Sequence, residues 1–323
     1  LNGNEKSTID GLLMQLDGAG IRLWSQDGCL RFRGPVGALT AELRTQLEGR
    51  RQQVVDYLDK QSRQRASAWF RVWQPRPEAR MRVFCLPHAG GAASFFREWG
   101  KALPFDVEVV TVQYPGREER IEERLLDDLQ LLVRQLTDSL ERLPHLLDRP
   151  YVLFGHSMGG AVAHELCLTL RARDCPMPEH LVVSACEAPS RRKEERFHLA
   201  SNAELQDEIV RLGGTHADIV RVPELAELVL PVIRSDYRLI ETYRPDTWRT
   251  PLELPISAFT GDEYGALDPD DARAWAEETK GDFVHREFSG GHFYLVQQRQ
   301  AVLKQLLRLV QAGDASHLRP GAH

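Results

Sequence analysis

The run YVLFGHSMGG, residues 151–160, decides how this chain folds. An apolar segment, Tyr151 to Phe154, meets Gly155-His156-Ser157-Met158-Gly159 and passes at once into AVAHELCLTLRA, which has the pattern of a helix. Strand, sharp turn and helix in that order are what a nucleophile elbow requires. The glycines let the turn close and press the serine into a strained, exposed position at the helix N-terminus. Ser157 is therefore the candidate nucleophile. His156 and His164 are near it in sequence, but the first is expected to point away from the tip of the turn and the second to lie two turns along the helix. Both are read as structural.

Working outward, RVFCL (82–86), VEVVTV (107–112), LVVSAC (181–186), PISAFT (255–260) and DFVHREF (282–288) are further apolar strand candidates, separated by amphipathic helical stretches. Continuous apolar strands alternating with helices predict an α/β domain whose sheet is mainly parallel and covered on both faces. Residues 190–250 break the rhythm with helix-like stretches and no strand, and are expected to form a helical lid.

A serine hydroxyl needs a base within hydrogen-bond reach and donors for the oxyanion that its attack creates. FSGGHFYL, residues 288–295, places His292 after a strand and two glycines, and it is the expected base. LPHAGGAASFF, residues 86–96, follows the first apolar strand, and Gly90 and Gly91 allow its backbone to come close to a substrate. The oxyanion hole is accordingly assigned to the amides of Met158 and Ala89.

With 323 residues, the chain has room for one sizeable core and a small extra module. A net charge of -6 gives no pull toward nucleic acid or an anionic membrane. The five cysteines form no C-x-x-C pair, and their odd number fits no closed disulfide framework, so buried thiols in a reducing compartment are expected. No apolar run approaches about 18 residues, and Leu1 to Lys6 lacks the order of a secretory signal. A cytoplasmic protein with no metal, no cofactor of its own and no membrane or nucleic-acid partner is the expectation.

The first 60 residues read as a separate module. Ser7-Thr8-Ile9-Asp10 caps a helix bearing Leu12, Leu13 and Leu16, and Gly18-Ala19-Gly20 stops it. IRLWSQDGCLRFRG then alternates as a hairpin through Asp27-Gly28, with Ile21, Leu23, Leu30 and Phe32 toward the core and Arg22, Arg31 and Arg33 away from it. Thr40 starts a second helix with Leu43, Leu47, Val54, Val55 and Leu58, after which DKQSRQRASA loses its apolar periodicity. Residues 61–68 are therefore read as a linker, residues 69–312 as the large domain and residues 313–323 as a tail.

On GIRLW, DGCLRFRGPVGALT and the helix after Thr40, the module resembles the TubC-like N-terminal docking domains of nonribosomal peptide and polyketide assembly lines. That resemblance implies capture of the C-terminal tail of an upstream synthase subunit, with Arg31 and Arg33 as the candidates for holding an acidic tail. On WFRVW, FCLPHAGGAASFFREW, VQYPGREER, LFGHSMGG, SDYRLIETYR and FSGGHFYL, in that order, the large domain resembles the type II thioesterases of the same assembly lines. It implies an α/β-hydrolase that cleaves acyl or aminoacyl thioesters carried on the phosphopantetheine of carrier proteins. It also implies a lid over the acyl chamber, with Tyr114 and Arg117 of YPGR lining its entrance.

One position departs from that family. Its members carry an aspartate three residues after the glycine that ends the strand PISAFTG, and here Tyr264 stands there. Glu187, at the end of the strand after the nucleophile helix, is the favoured replacement, because fatty acid synthase thioesterases place their acid there; Glu263, Asp262 and Asp268 are the alternatives. Transfer of the acyl group to an acceptor other than water, and a non-catalytic accessory protein, are the competing functions. Acyl specificity, cognate synthase and oligomeric state are not written in the sequence.

Overall fold

Two capping threonines and a hairpin build the first of two units, Leu1–Ala66 and Ser67–His323. The computed structural model describes residues 8–26, 28–213, 215–246, 248–263 and 267–317. Thr8 caps α1 (Ile9–Gly18) by accepting from Gly11 N, and Thr40 caps α2 (Ala41–Gly49) by accepting from Leu43 N. Between them β1 (Arg22–Gln26) and β2 (Cys29–Arg33) pair antiparallel, with Leu23 opposite Phe32 and Trp24 opposite Arg31. Leu12, Leu16, Ile21, Leu47 and Val54 form the buried core, against which Leu23 and Leu30 pack. Phe32, expected on that core face, remains 52% exposed. So narrow a sheet in so small a unit leaves part of its apolar surface uncovered. Of the expected turn, Asp27 lies outside the described residues.

The second expected helix is divided at Arg50 into α2 and α3 (Arg51–Ser67). Residues 61–68, read as a linker, are helical as far as Ser67. Gln, Arg and Lys are good helix formers, so the segment loses the apolar stripe without losing its helical propensity.

In the large unit seven strands form one sheet in the order β3-β5-β4-β6-β7-β8-β9. They are β3 (Phe70–Arg71), β4 (Met81–Leu86), β5 (Val107–Val112), β6 (Tyr151–His156), β7 (His180–Ser184), β8 (Ile256–Gly261) and β9 (Phe283–Phe288). Every pairing is parallel except that of β3 with β5. Helices α4 (Trp99–Ala102), α5 (Leu129–Arg142) and α6 (Met158–Ala172) connect the early strands. After β7 come α7 (Asn202–Leu212), α8 (Thr215–Ile219) and α9 (Pro223–Thr242), then α10 (Pro269–Arg273) after β8, and α11 (Tyr294–Gln297) and α12 (Arg299–His317) after β9. Strands β4, β5, β6 and β8 are buried at every position, as a sheet covered on both faces requires.

The mainly parallel α/β sheet expected from the strand pattern is the one observed, in keeping with the α/β-hydrolase that the resemblance implies. β3, two residues on the sheet edge, is too short to leave a periodic signal. The segment from α7 to α9 is helical and has a small core of its own in Leu205, Ile209, Val220, Ala226, Leu230 and Ile233. Among the described residues no helix is long and apolar enough to cross a membrane.

Candidate active site

The turn after β6 has the backbone that its sequence calls for. Ser157 has φ 54 and ψ -122, in a region that non-glycine residues seldom enter. Its amide donates to Ser184 O at 2.7 Å, and its carbonyl accepts from Gly160 N at 2.8 Å. A Cβ on Gly155 would lie 2.1 Å from Gly159 O, and one on Gly159 would lie 2.1 Å from Leu86 O. Glycine at both positions is thus a demand of close backbone approach.

Loops at the carboxyl ends of β4, β6, β7, β8 and β9 converge on one cavity of about 370 Å³. Ser157 and Met158 follow β6, His88 and Ala89 follow β4, Glu187 follows β7 and His292 follows β9; all of them line it. Helices α7 and α9 roof it with Glu208, Ile209, Arg211, Ile233, Tyr237 and Glu241. The amides of Ala89 and Met158 donate to no acceptor among the described residues, which leaves both free for a substrate oxygen. Burial, and then the positive charge of Arg211, push the His292 imidazole down to about 4. At neutral pH it is therefore the free base that a nucleophilic serine needs.

That depression sets a pH profile. Protonating His292 removes the base, so kcat/KM should stay level as pH falls from 8 through 6 and drop only as pH approaches about 4. A pH–rate profile on a small thioester checks this. An acidic limb at 6.5 or above would show that a carboxylate already faces the imidazole in the resting protein.

No described carboxylate hydrogen-bonds His292. Glu187, favoured as its partner, lines the cavity, but its carboxylate accepts from Lys193 N at 3.3 Å instead. Asp262 accepts from Gly290 N at 3.0 Å and Ser289 Oγ at 3.3 Å, so it shapes the histidine loop from behind. Asp268 caps α10 through Asp270 N. Glu263 differs from these: its amide donates to Gly290 O at 3.2 Å, and its Oε2 comes within 3.2 Å of the point where a Cβ on Gly291 would lie. Its carboxylate accepts no hydrogen bond among the described residues. Tyr264 lies outside the described residues.

His156 and His164 are both buried. The His156 ring, expected to point away from the elbow, packs 5.3 Å from the His292 ring, with Nδ1 and Ser184 Oγ 2.9 Å apart. His164 stands 3.6 Å from Glu278 and edge-on to Trp275, which is a structural setting.

The expected entrance residues require correction. Tyr114 and Arg117 are 0% and 7% exposed, and neither borders the cavity. Arg117 is turned inward to make a two-pronged ion pair with Asp236 of α9, at 2.7 and 2.9 Å. Removing one partner of such a buried pair strands the other charge, at a cost of about 3–5 kcal/mol. Sequence reasoning did not identify Asp236, although a signal for it existed. It falls three residues from Ile233 and from Leu239 on the buried face of an amphipathic helix, and an acid there implies a buried cation.

In the N-terminal unit Arg22, Arg31 and Arg33 are exposed on one face of the hairpin with Trp24 between them, and among the described residues none has an acidic partner.

Residues 81–310 match the thioesterase domain family, and residues 9–60 match the TubC N-terminal docking domain. The chain is 34% identical to the probable cadicidin biosynthesis thioesterase of Streptomyces griseus, over 88% of this chain and 77% of that protein. It is 38% identical to thioesterase PikA5 of Streptomyces venezuelae, over 71% of this chain and 81% of that one. Among solved structures, the RedJ thioesterase from the prodiginine pathway of Streptomyces coelicolor superposes with a TM-score of 0.68 at 37% identity, covering 73% of this chain and 87% of that one.

Proposed function

We propose, for a chain that belongs to the thioesterase family and carries a TubC N-terminal docking domain, that it hydrolyses acyl or aminoacyl thioesters on the phosphopantetheine arms of carrier proteins in nonribosomal peptide or polyketide biosynthesis. The observation that carries this reading is the strained Ser157 opening, beside two unengaged amides, onto the cavity that holds His292. The relatives named for cadicidin biosynthesis and for the prodiginine biosynthetic pathway support the substrate class.

In this reading Ser157 Oγ attacks the thioester carbon and its proton passes to His292. The carbonyl oxygen, now an anion, takes the Ala89 and Met158 amides, the geometry that makes such a site effective. The pantetheine sulfur leaves with the proton from the imidazolium, and an acyl-enzyme remains. Water then gives His292 a proton and attacks the ester; the acid departs and Ser157 regains its hydrogen. We assign the carboxylate that steadies the imidazolium to Glu263, because it is unengaged and adjoins the His292 loop, whereas Glu187 is held by Lys193.

The exposed arginine and tryptophan face of the hairpin supports docking to an acidic C-terminal tail of an upstream synthase subunit, with Arg31 and Arg33 as its contacts. Deleting residues 1–60 should leave turnover of a small thioester unchanged and lower kcat/KM on a carrier tethered to the matching synthase by about tenfold or more, as loss of effective concentration predicts. Kinetics of both proteins on both substrates test it. Equal activity on the tethered carrier rejects the docking role, and a full-length chain inactive on every acyl carrier rejects the substrate class.

A further inference from the structure

We propose that Asp236 and Arg117 are positioning residues for the oxyanion hole: α9 extends a buried carboxylate to the loop after β4 and so holds the Ala89 amide where the thioester oxygen arrives. This rests on the reading of Ala89 as an oxyanion donor.

The loop begins with a tight turn, His88-Ala89-Gly90-Gly91, closed by Gly91 N donating to His88 O at 2.9 Å. Gly90, at the third position, has φ +76, as a type II turn demands. Around this turn the polar backbone groups are held one after another. Tyr114 Oη donates to Pro87 O at 3.4 Å, Arg117 Nη1 donates to Gly91 O at 3.1 Å, and Ala93 N donates to Gln113 Oε1 at 2.8 Å. Gly90 N donates to Asp236 Oδ2 at 2.7 Å, and the same oxygen accepts from Arg117 Nη1 at 2.7 Å. Ala89, in the midst of these contacts, lines the cavity, and its amide donates to no acceptor among the described residues.

The central peptide of such a turn, here the Ala89 carbonyl with the Gly90 amide, can rotate over, which is how type I and type II forms differ; the Ala89 N–H belongs to the peptide before it, and fixing the central peptide anchors Ala89 from its carbonyl side. Here the rotated form would bring the Ala89 carbonyl oxygen against the Asp236 carboxylate, two acceptors in contact, with the Gly90 N–H turned away and Arg117 left as the donor to that carboxylate. A charge-assisted bond to Gly90 N selects the observed form. Asp236 is 1% exposed, so water cannot substitute for it. The helix that supplies it also lines the cavity through Ile233, Tyr237 and Ile240. Seating α9 over the acyl group and setting the donor geometry are consequently a single event.

The test uses the full chain and a small acyl thioester. Asp236→Ala should lower kcat about 100-fold with KM within about threefold, the loss expected when one oxyanion donor is misplaced. Asp236→Asn keeps an acceptor for Gly90 N and should recover most of that activity. The double variant Arg117→Met, Asp236→Leu removes both buried charges; it should unfold near the wild-type temperature yet remain about 100-fold slow. A boronic acid that forms a tetrahedral adduct with Ser157 should bind Asp236→Ala more weakly by the same factor, and an uncleavable thioether analogue equally well. Folded variants with kcat within threefold of wild type, a loss carried by KM, or unchanged boronate affinity would overturn the proposal. A wild-type protein that turns over thioesters but forms no boronate adduct would overturn the oxyanion reading beneath it as well.

Discussion

Alanine at Ser157 is expected to lower kcat on any thioester by about 10⁶-fold, with KM within a few-fold, since the acyl-enzyme route is lost while the cavity stays intact. The expectation comes from the backbone. A serine at φ 54 costs folding energy that no packing need explains, and its side chain stands at the N-terminus of α6 beside two unengaged amides. The glycines at 155 and 159 serve that arrangement, because any side chain there would meet main-chain oxygen. Steady-state assays with the purified variant, whose fold should be unaltered, check the value. Residual turnover within about tenfold of wild type would place the chemistry on another residue.

Glu263→Gln is expected to cost about 10³ to 10⁴ in kcat, as losing the acid does in a serine–histidine–aspartate triad, and Glu187→Gln less than about tenfold. In the proposed mechanism the depressed His292 gains a proton and then requires a negative charge nearby; left alone in a low-dielectric cavity, the imidazolium would be strongly disfavoured. Of the weighed carboxylates, Asp262 and Asp268 already serve the local backbone and Glu187 accepts from Lys193. Glu263 alone is unengaged among them while adjoining Gly291, the residue before the base. Turning its side chain inward places the acid on the loop after β8, beside the position filled by Tyr264. The inverse ranking of the two variants in parallel kcat measurements would return the role to Glu187.

How far the sequence carried the reading depends on what each signal consists of. Strands buried on both faces, such as VEVVTV and YVLFG, declare themselves by composition, and a parallel sheet then brings the residues after β4, β6 and β9 to one rim. That is why Ser157, Ala89 and His292, far apart along the chain, were legible as neighbours. The linker was misread because polarity was taken for lack of structure, although Gln61 to Ser67 continue the helix. Tyr114 and Arg117 were placed by resemblance to the surface of an entrance, but an arginine's direction depends on its partner. That partner, Asp236, comes from a helix more than a hundred residues later, and no local pattern joins the two. The acid was obscured for a related reason: a carboxylate's role lies in which imidazole it faces, and sequence records only its position.

The proposed function stands or falls on the activation of one hydroxyl, at the turn after β6, by His292. Treating the full chain with a fluorophosphonate and mapping the adduct by peptide mass spectrometry tests it most directly. A single stoichiometric adduct is expected on the peptide containing Ser157, formed far more slowly in His292→Ala. An unlabelled protein, an adduct on another residue, or a labelling rate indifferent to His292 would contradict it.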